Sequence, residues 1–448
     1  MLANRVERGR YLDSVALMRI SRRVGALAGV EAAALMIGTP SNKALLREAG
    51  LLSSDGERAE PNDLIIAVRA SDAGAAMDSA VSLLAEKPAQ TSAGLRTTSS
   101  LRRGLEIEPQ ANLALISVPG AFAAQEARNA LERGLNVMVF SDNVSVEEEV
   151  ALKRLAKDRR LLLMGPDCGT ALISGAPLAF ANVVPRGEIG IASASGTGLQ
   201  EVSCLIARLG GGVSHGIGVG GRDLDERVGA LGMLSAIDLL DADPATKTLV
   251  LISKPPSPRV AETVLARVRQ SKKRSVVCFL GANGSTLTGA AEQAMQKKLP
   301  SETPSPGRAK GRVLGLYCGG TLAAEAEIVL GDGGDCVDLG ADEFTRGRPH
   351  PMIEPELRNE HIRQALADPS IGVLLFDVVL GFGAHADPAG VLLDGLKGSK
   401  KIAIASVIGT EQDPQGFSRQ VAKLRAAGVH VAPSNAYAAR LAASTVSS

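Results

Sequence analysis

The chain has 448 residues, of which 45% are hydrophobic, and its 49 basic and 48 acidic residues give a net charge of +1. This length suffices for about three domains with buried cores, whereas a charge so close to zero provides no broad attraction to nucleic acids or acidic membranes. Aromatic residues make up only 2% of the chain, which disfavours surfaces that bind single strands by base stacking. We therefore expect a globular protein with neither a nucleic-acid nor a membrane partner.

The cysteines and the amino terminus indicate the compartment. Five cysteines occur without a CxxC pair, at Cys168, Cys204, Cys278, Cys318 and Cys336. This pattern excludes a disulfide framework and a zinc ribbon, and no pair of histidines has metal-ligand spacing. The segment MLANRVERGRYLDS has no apolar signal-peptide core, and no run of about 18 apolar residues occurs. We expect a cytoplasmic protein without a metal site.

The first 88 residues alternate short strands with amphipathic helices. The pattern predicts strands at 4–12, 30–38 and 63–70 and helices at 13–29, 39–50 and 71–87. Such alternation predicts a small α/β domain of ferredoxin-like type at 1–88. Residues 89–110 lack periodicity and are rich in Ser, Thr and Arg, which predicts a linker.

From Ala111 onward, fully apolar strands alternate with helices. This pattern predicts parallel sheets covered on both faces, as in Rossmann-like or flavodoxin-like domains. We divide this part into a Rossmann-like domain at 111–185, a second α/β domain at 186–297, a Pro- and Ser-rich linker at 298–311 and a third α/β domain at 312–448. The fold class is therefore α/β, with several parallel sheets and a small amino-terminal domain.

Three glycine-rich turns follow predicted strands. They are SASGTGLQ, with Ser193, Ser195, Gly196 and Thr197; CGGTLAAE, with Gly319 and Gly320; and GFGAHADP, with Gly381, Gly383 and His385. Ligands of parallel sheets bind beyond the carboxyl ends of strands, where helix N-termini present free N–H groups to anions. Two facing helix starts are expected to share one phosphate. The alternative is that each is a tight turn whose glycines serve backbone geometry alone.

Two further sequence features limit the chemistry. Neither a Walker sequence GxxxxGK[ST] nor a GxGxxG turn after a first Rossmann strand occurs, so ATP hydrolysis by this chain has no support. Asp377 lies within the apolar run LLFDVV, and we expect it to meet a helix terminus or an arginine.

Several consecutive blocks resemble the succinyl-CoA synthetase superfamily and, within it, the FdrA family. The blocks similar to the α subunit are PGAFAAQEARNALERGLNVMVFSDNVSVEEE, LLLMGPDCGTALISG, PRGEIGIASASGTGLQE and GIGVGGRD. The blocks similar to the β subunit are GLYCGGTLAAEAEIVL, CVDLGADEF, FDVVLGFGAHADPAGV and IASVIGTEQDP. The chain looks like both ligase regions fused, without the ATP-grasp domain, and the resemblance implies a succinyl-CoA synthetase-like fold.

The resemblance also implies site residues. Ser193, Ser195 and Gly196 would hold a phosphate from one side, and Gly381 and Gly383 from the other. Pro119 and Ser141 match the cleft in which the α subunit binds CoA. The turn Gly38–Lys43 departs from the family's glycine-rich CoA turn.

The main departure concerns the family's phosphohistidine. The run VVCFLGANGSTLTGAAEQA has no histidine where the α subunit carries it, and LISKPPS supplies Lys254 where the family has an orienting acidic residue. A cation in this position favours a static anion site. His385 is a candidate general acid or phosphate donor, or else caps its turn. His350 with Arg348 and Arg346 is a candidate carboxylate or phosphate site, or a structural loop.

The first functional hypothesis is an acyl-CoA synthetase-like enzyme that acts on a small carboxylate through an acyl phosphate without phosphohistidine. The resemblance allows a narrower version, a subunit of a carbamoyltransferase that uses carbamoyl phosphate and oxamate. The rival hypothesis is a non-catalytic subunit that binds CoA or phosphate. In each case we expect a homo-oligomer or companion subunits.

Overall fold

The computed structural model describes residues 1–10, 12, 14–85, 98–300, 303–345 and 349–447. The chain forms two compact units, one of residues 1–107 with 342–350 and one of residues 108–341 with 351–448. Within the described ranges, none of the helices has the length and apolar character needed to cross a bilayer.

The first unit is a small α/β domain, as predicted. Its elements up to residue 107 are β1 (Leu2–Glu7), α1 (Ser14–Gly25), β2 (Val30–Ile37), α2 (Pro40–Glu48), α3 (Ser54–Glu57), β3 (Leu64–Ala70), α4 (Ala73–Ala85) and α5 (Leu101–Ile107). The sheet has the antiparallel order β1-β3-β2, which is the split β-α-β arrangement of ferredoxin-like domains. The central strand β3 is almost fully buried because side chains pack against both of its faces.

The segment predicted as a linker, 89–110, contains a short helix. Residues 101–107 form α5, whose sequence LRRGLEI gives one short amphipathic helix. Residues 89–97 lie outside the described part of the chain.

The second unit begins with a three-stranded parallel sheet of order β4-β5-β6. Its elements and the hairpin that follows are β4 (Leu113–Ile116), α6 (Gly120–Glu132), β5 (Asn136–Val139), α7 (Val146–Asp158), β6 (Leu163–Met164), β7 (Thr170–Ile173) and β8 (Ala176–Ala179). A capping box between Ser145 and Glu148 begins α7, as the acidic first turn predicts.

A six-stranded sheet of order β12-β11-β9-β10-β7-β8 comes next. Its remaining elements are β9 (Arg186–Ser193), α8 (Gly196–Arg208), β10 (Val213–Gly218), α9 (Leu231–Ala242), β11 (Thr248–Ser253), α10 (Pro258–Gln270), β12 (Arg274–Phe279) and α11 (Leu287–Met295). Strands β9 to β12 pair in parallel, as the sequence predicts.

The hairpin β7-β8 precedes the domain boundary predicted between residues 185 and 186, but it pairs with a strand that lies beyond that boundary. Its first strand pairs antiparallel with β10 and so belongs to the six-stranded sheet. Ser174 and Gly175 connect the two strands with positive φ angles of 51° and 85°, the conformation of a two-residue type I′ turn.

A five-stranded parallel sheet of order β15-β14-β16-β17-β18 completes the fold. The elements after residue 308 are β13 (Ala309–Lys310), β14 (Arg312–Tyr317), α12 (Gly320–Leu330), β15 (Gly334–Asp338), α13 (Asp342–Thr345), α14 (Leu357–Ala367), β16 (Ile371–Val379), α15 (Pro388–Leu396), β17 (Ile402–Ile408), α16 (Phe417–Ala426), β18 (His430–Ala432), α17 (Asn435–Thr445) and β19 (Val446–Ser447). Of these, α13 belongs to the first unit. All nine residues of β16 are buried, which explains why its sequence is apolar apart from Asp377. Strands β13 and β19 pair, so the predicted linker at 298–311 ends in a strand.

The two large sheets share one hydrophobic core. Residues of β9 and β11, of β14 and β16, and of α8, α11, α12 and α17 belong to a single buried cluster. The helices α8 and α11 of the six-stranded half therefore pack against α12 and α17 of the five-stranded half. This packing decides which helix starts meet.

Candidate functional site

The starts of α8 and α12 lie in direct contact. Ser195 precedes α8 at the carboxyl end of β9, and its Oγ donates to Thr321 Oγ1 of α12 over 2.7 Å. On the other side, a Cβ atom added to Gly319 would lie 2.9 Å from Thr197 Cγ2. Two helix N-termini from separate halves of the second unit thus adjoin each other.

The backbone donors at these starts are available, whereas the serine hydroxyls are not. Ser195 Oγ accepts from Gly198 N–H, and Ser193 Oγ donates to Ser195 O and accepts from Ser195 N–H. The N–H groups of Gly196, Thr197, Gly320 and Thr321 have no acceptor among the described residues. Such free N–H groups, together with the positive ends of two helix dipoles, suit an anion.

A cation and a carboxyl group flank the start of α12. A Cβ atom on Gly320 would lie 3.7 Å from Lys254 Nζ and 2.3 Å from Asp338 Oδ2. Lys254 is exposed and follows β11, while Asp338 is the last residue of β15. Burial raises the pKa of Asp338, against the opposing effects of the Gly340 N–H and the Lys254 charge. Of the predicted residues, Lys254 therefore lies with Gly320 beside the two helix starts.

A buried ion pair fixes the turn before α12. Asp377 accepts from Cys318 N–H and Gly319 N–H, and Arg358 Nη2 lies 3.0 Å from Asp377 Oδ1. Arg358 also donates to Leu316 O and Asp377 O. The expectation that Asp377 meets a helix terminus or an arginine is confirmed on both counts.

Two of the backbone donors in the turn Gly381–Gly383 are engaged within the fold. Gly381 N–H donates to Gln415 Oε1 over 3.0 Å, and Phe382 N–H donates to Ala181 O over 2.9 Å. Gln415 therefore occupies the Gly381 N–H, and a role of Gly381 or Gly383 in holding a phosphate stays a prediction. Both glycines have positive φ angles, of 107° and 80°, and a Cβ atom on Gly383 would lie 2.4 Å from the ring of Phe180. Close packing and the positive φ angles explain why glycine occupies both positions.

His385 is held by backbone contacts. Its N–H donates to Met352 O, and its Nδ1 accepts from Asp387 N–H over 3.0 Å. Asp387 in turn caps α15. The structure thus supports the turn-capping alternative for His385 and leaves Nε2 for a substrate contact, which stays a prediction.

The remaining predicted residues fall into separate groups. Pro119 precedes α6, and Ser141 Oγ donates to the adjacent Val118 O, so both lie at the carboxyl end of the three-stranded sheet. His350 is grouped with the first unit, and Arg346 and Arg348 lie outside the described residues. Their roles stay predictions.

The turn Gly38–Lys43 is engaged in its own loop. Thr39 Oγ1 accepts from Asn42 N–H, and Lys43 Nζ donates to Glu57 O and Ala59 O. These groups are not free for the phosphates of CoA.

Sequence reasoning missed the contact partner of α8. It paired α8 with the turn Gly381–Gly383 by resemblance, although α12 begins with a similar sequence. Both helices read G-T-x-x-x-E, with Gly196, Thr197 and Glu201 in α8 and Gly320, Thr321 and Glu325 in α12. This repeat is the signal that could have identified α12 as the partner.

Comparisons with known proteins agree with this architecture. The CoA-ligase family matches residues 316–445, and the family described as "AllF, heavy metal-associated domain" matches residues 1–100. The uncharacterized protein YahF of Escherichia coli (strain K12) is 41% identical to this chain, and the match covers 95% of each chain. The chain belongs to the YahF family. The CoA-ligase match confirms the resemblance to the succinyl-CoA synthetase superfamily; the FdrA assignment stays a prediction.

Two more distant similarities complete the comparison of the YahF-family chain. Subunit SauD of the ADP-forming sulfoacetate-CoA ligase of Bilophila wadsworthia is 26% identical over 44% of this chain and 67% of SauD. The dinucleotide-forming acetyl-coenzyme A synthetase 1 of Ca. Korarchaeum cryptofilum has a TM-score of 0.34 and 17% identity, and covers 80% of this chain and 86% of that one.

The heavy-metal name of the amino-terminal family does not fit the residues present. Residues 1–100 contain neither Cys nor His, the thiolate and imidazole ligands that soft metals prefer. Among the described residues, no group of three or more His, Cys, Asp or Glu is placed to hold a metal ion.

Proposed function

We propose that this protein transfers an acyl group between phosphate and an acceptor such as CoA, and holds the phosphate at the starts of α8 and α12. The observation that carries the proposal is the 2.7 Å bond between Ser195 Oγ and Thr321 Oγ1, which joins the two helix starts. The CoA-ligase match over residues 316–445 supports the reaction class.

The reaction needs no phosphohistidine. A thiolate acceptor attacks the carbonyl carbon of the acyl phosphate, the C–S bond forms, the C–O bond to phosphate breaks, and inorganic phosphate leaves. The acceptor's thiol proton passes to solvent. Free N–H groups of α8 and α12 and the Lys254 ammonium would stabilise the charge that develops on the leaving phosphate.

The absence of a histidine in the Gly281–Ser285 loop supports this direct route. A Cβ atom on Gly281 would lie 3.1 Å from Ile328 Cδ1 of α12, so the loop lies against that helix. Two buried thiols are poor substitutes as nucleophiles, because burial raises the pKa of Cys168 to about 12 and that of Cys318 well above its ordinary value.

The contact between the two helix starts also supports a second candidate function. Carbamoyl phosphate is an acyl phosphate with an amino group on its carbonyl carbon, so the same anion site would serve carbamoyl transfer to oxamate. The transferred group distinguishes the two candidates. A phosphate-binding subunit without its own activity is the third outcome.

The test is an assay of the full-length protein with acetyl phosphate and CoA, and with carbamoyl phosphate and oxamate, with phosphate affinity measured calorimetrically. Lys254→Met should weaken phosphate binding and lower turnover by about a hundredfold or more. Lys272→Met is the matched control, because Lys272 is exposed and precedes β12 at the opposite edge of the sheet. Phosphate binding without turnover favours the subunit candidate, and equal phosphate affinity in both variants contradicts the proposed site.

A further inference from the structure

The contact between α8 and α12 is part of a reciprocal arrangement of buried carboxyl groups. Glu201 lies five positions after Gly196 in α8, and Glu325 lies five positions after Gly320 in α12. Each carboxyl group accepts from the first N–H of a helix in the opposite half. Glu201 Oε1 accepts from Asn435 N–H of α17 over 3.0 Å, and Glu325 Oε1 accepts from Leu287 N–H of α11 over 2.6 Å.

Asn435 joins the two carboxyl groups. Its backbone N–H donates to Glu201, and its Nδ2 donates to Glu325 Oε2 over 2.8 Å and to Leu322 O over 2.9 Å. Nearby, Thr288 Oγ1 of α11 donates to Ser434 Oγ, the N-cap of α17, over 2.8 Å. The four helices that separate the two sheets are therefore tied by polar contacts as well as by apolar packing.

Burial makes these bonds costly to lose. Glu201 is 1% exposed, Glu325 and Asn435 are fully buried, and a buried donor without an acceptor destabilises the arrangement that leaves it unpaired. If α8 slid along α12, Asn435 N–H and Leu287 N–H would lose their acceptors together. The bonds therefore hold α8 and α12 in one register.

We infer that Glu201 and Glu325 are positioning residues, which keep the helix starts of the two halves side by side so that both can reach one anion. This inference rests on the proposed function for its ligand. Neither carboxyl group touches the anion; each acts through the helix it holds.

The test compares Glu201→Ala with Glu201→Gln in the full-length protein, with inorganic phosphate as the probe. Alanine removes the acceptor of Asn435 N–H and should weaken phosphate binding by about tenfold, whereas glutamine keeps an acceptor oxygen and should restore most of it. Glu149→Ala is the control, since Glu149 is also 1% exposed but bonds Lys153 and Arg222 from α7. If Glu201→Ala does not fold, Glu201→Asp replaces it, because its shorter side chain withdraws the carboxylate from Asn435.

Hydrogen exchange provides a readout that does not need phosphate. Glu201→Ala should speed exchange of the first amides of α17 and of the α8 start, and Glu149→Ala should not. Unchanged exchange at the α8 start, or wild-type phosphate affinity in Glu201→Ala, overturns the inference. If the wild type binds no phosphate, the proposed function fails, and the exchange data alone decide whether the carboxyl groups hold the helices.

Discussion

Single side chains at the helix starts serve packing and capping more than ligand contact. Ser195 illustrates this point, because its hydroxyl caps α8 through Gly198 N–H and also bonds Thr321 across the two halves. The groups that remain for an anion are backbone N–H groups and the exposed Lys254. A substitution at Ser195 should therefore affect stability as well as binding.

Ser195→Ala should lower the free energy of unfolding by about 1 kcal/mol through the lost cap, and it should weaken phosphate binding because Thr321 loses its partner. Ser203→Ala is the matched control on the same helix, since the Ser203 hydroxyl donates to Gln200 O within the helix. Denaturant unfolding and phosphate titration check both effects. Equal phosphate affinity in the two variants would contradict the role given to the Ser195–Thr321 bond.

Residue patterns predicted strand ends well but not the contacts between them. Asp377 was expected to meet a helix terminus or an arginine because a charge in an apolar strand requires partners, and it meets both. The N–H of Gly381 was expected to face an anion, but Gln415 takes it. Gln415 is distant from Gly381 in sequence, and no local sequence pattern predicts their contact.

At the scale of elements, Arg358 of α14 provides a test of the ion pair with Asp377 that holds the turn before α12. Arg358→Met should lower the free energy of unfolding by about 3–5 kcal/mol, because it leaves the Asp377 carboxylate buried without its cation. Arg363→Met on the same helix should change it little, since the Arg363–Glu360 pair is exposed. Thermal and urea unfolding of both variants distinguish them. A small effect of Arg358→Met would mean that the backbone N–H groups alone satisfy Asp377.

The carboxyl pair between α8 and α12 predicts a pH dependence of stability. Burial raises the pKa of Glu201 from 4.5 to about 7, with the Glu325 and Asp377 charges acting in the same direction and the Asn435 N–H and Arg208 against it. Burial also raises the pKa of Glu325, against the Asn435 and Leu287 hydrogen bonds and the Arg440 charge. Between pH 4.5 and about 7, Glu201 in the folded state therefore binds a proton that it has released in the unfolded state. The free energy of unfolding should therefore fall as pH rises from 4.5 to about 7.

Glu201→Gln should remove this contribution, which is at most about 1.4 kcal/mol per pH unit. Urea unfolding of the wild type and the variant between about pH 5 and 8 measures this contribution as the difference between their slopes of unfolding free energy against pH. The same slope in both proteins would show that Glu201 binds no extra proton in the folded state.

The elements of the parallel sheets were predictable because buried strands are mainly apolar, as in β16 and β11. The hairpin β7-β8 was missed because each strand has only four residues and its turn signal is a lone Ser-Gly pair. Helix α5 was missed because its seven residues lie in a segment of linker-like composition. Short elements are stabilised by tertiary packing, which cannot be inferred from the amino-acid composition of a segment.

At the scale of the whole molecule, the second unit joins two parallel α/β halves through their helices and through the segment before β9. Asn182 in that segment donates to Leu380 O and Asp413 Oδ2 and accepts from Gln200 Nε2. The fused chain thereby holds together the two ligase-like regions that the sequence resembles in separate subunits. The contact of α8 with α12 is a consequence of this packing.

The most direct test of the account is a crystal structure of the full-length protein with bound phosphate or carbamoyl phosphate. We expect one phosphate group within hydrogen-bonding distance of backbone N–H groups from both helix starts, at Gly196 or Thr197 and at Gly320 or Thr321, with Lys254 beside it. A phosphate group bound at one start alone, or elsewhere in the second unit, would contradict the central claim.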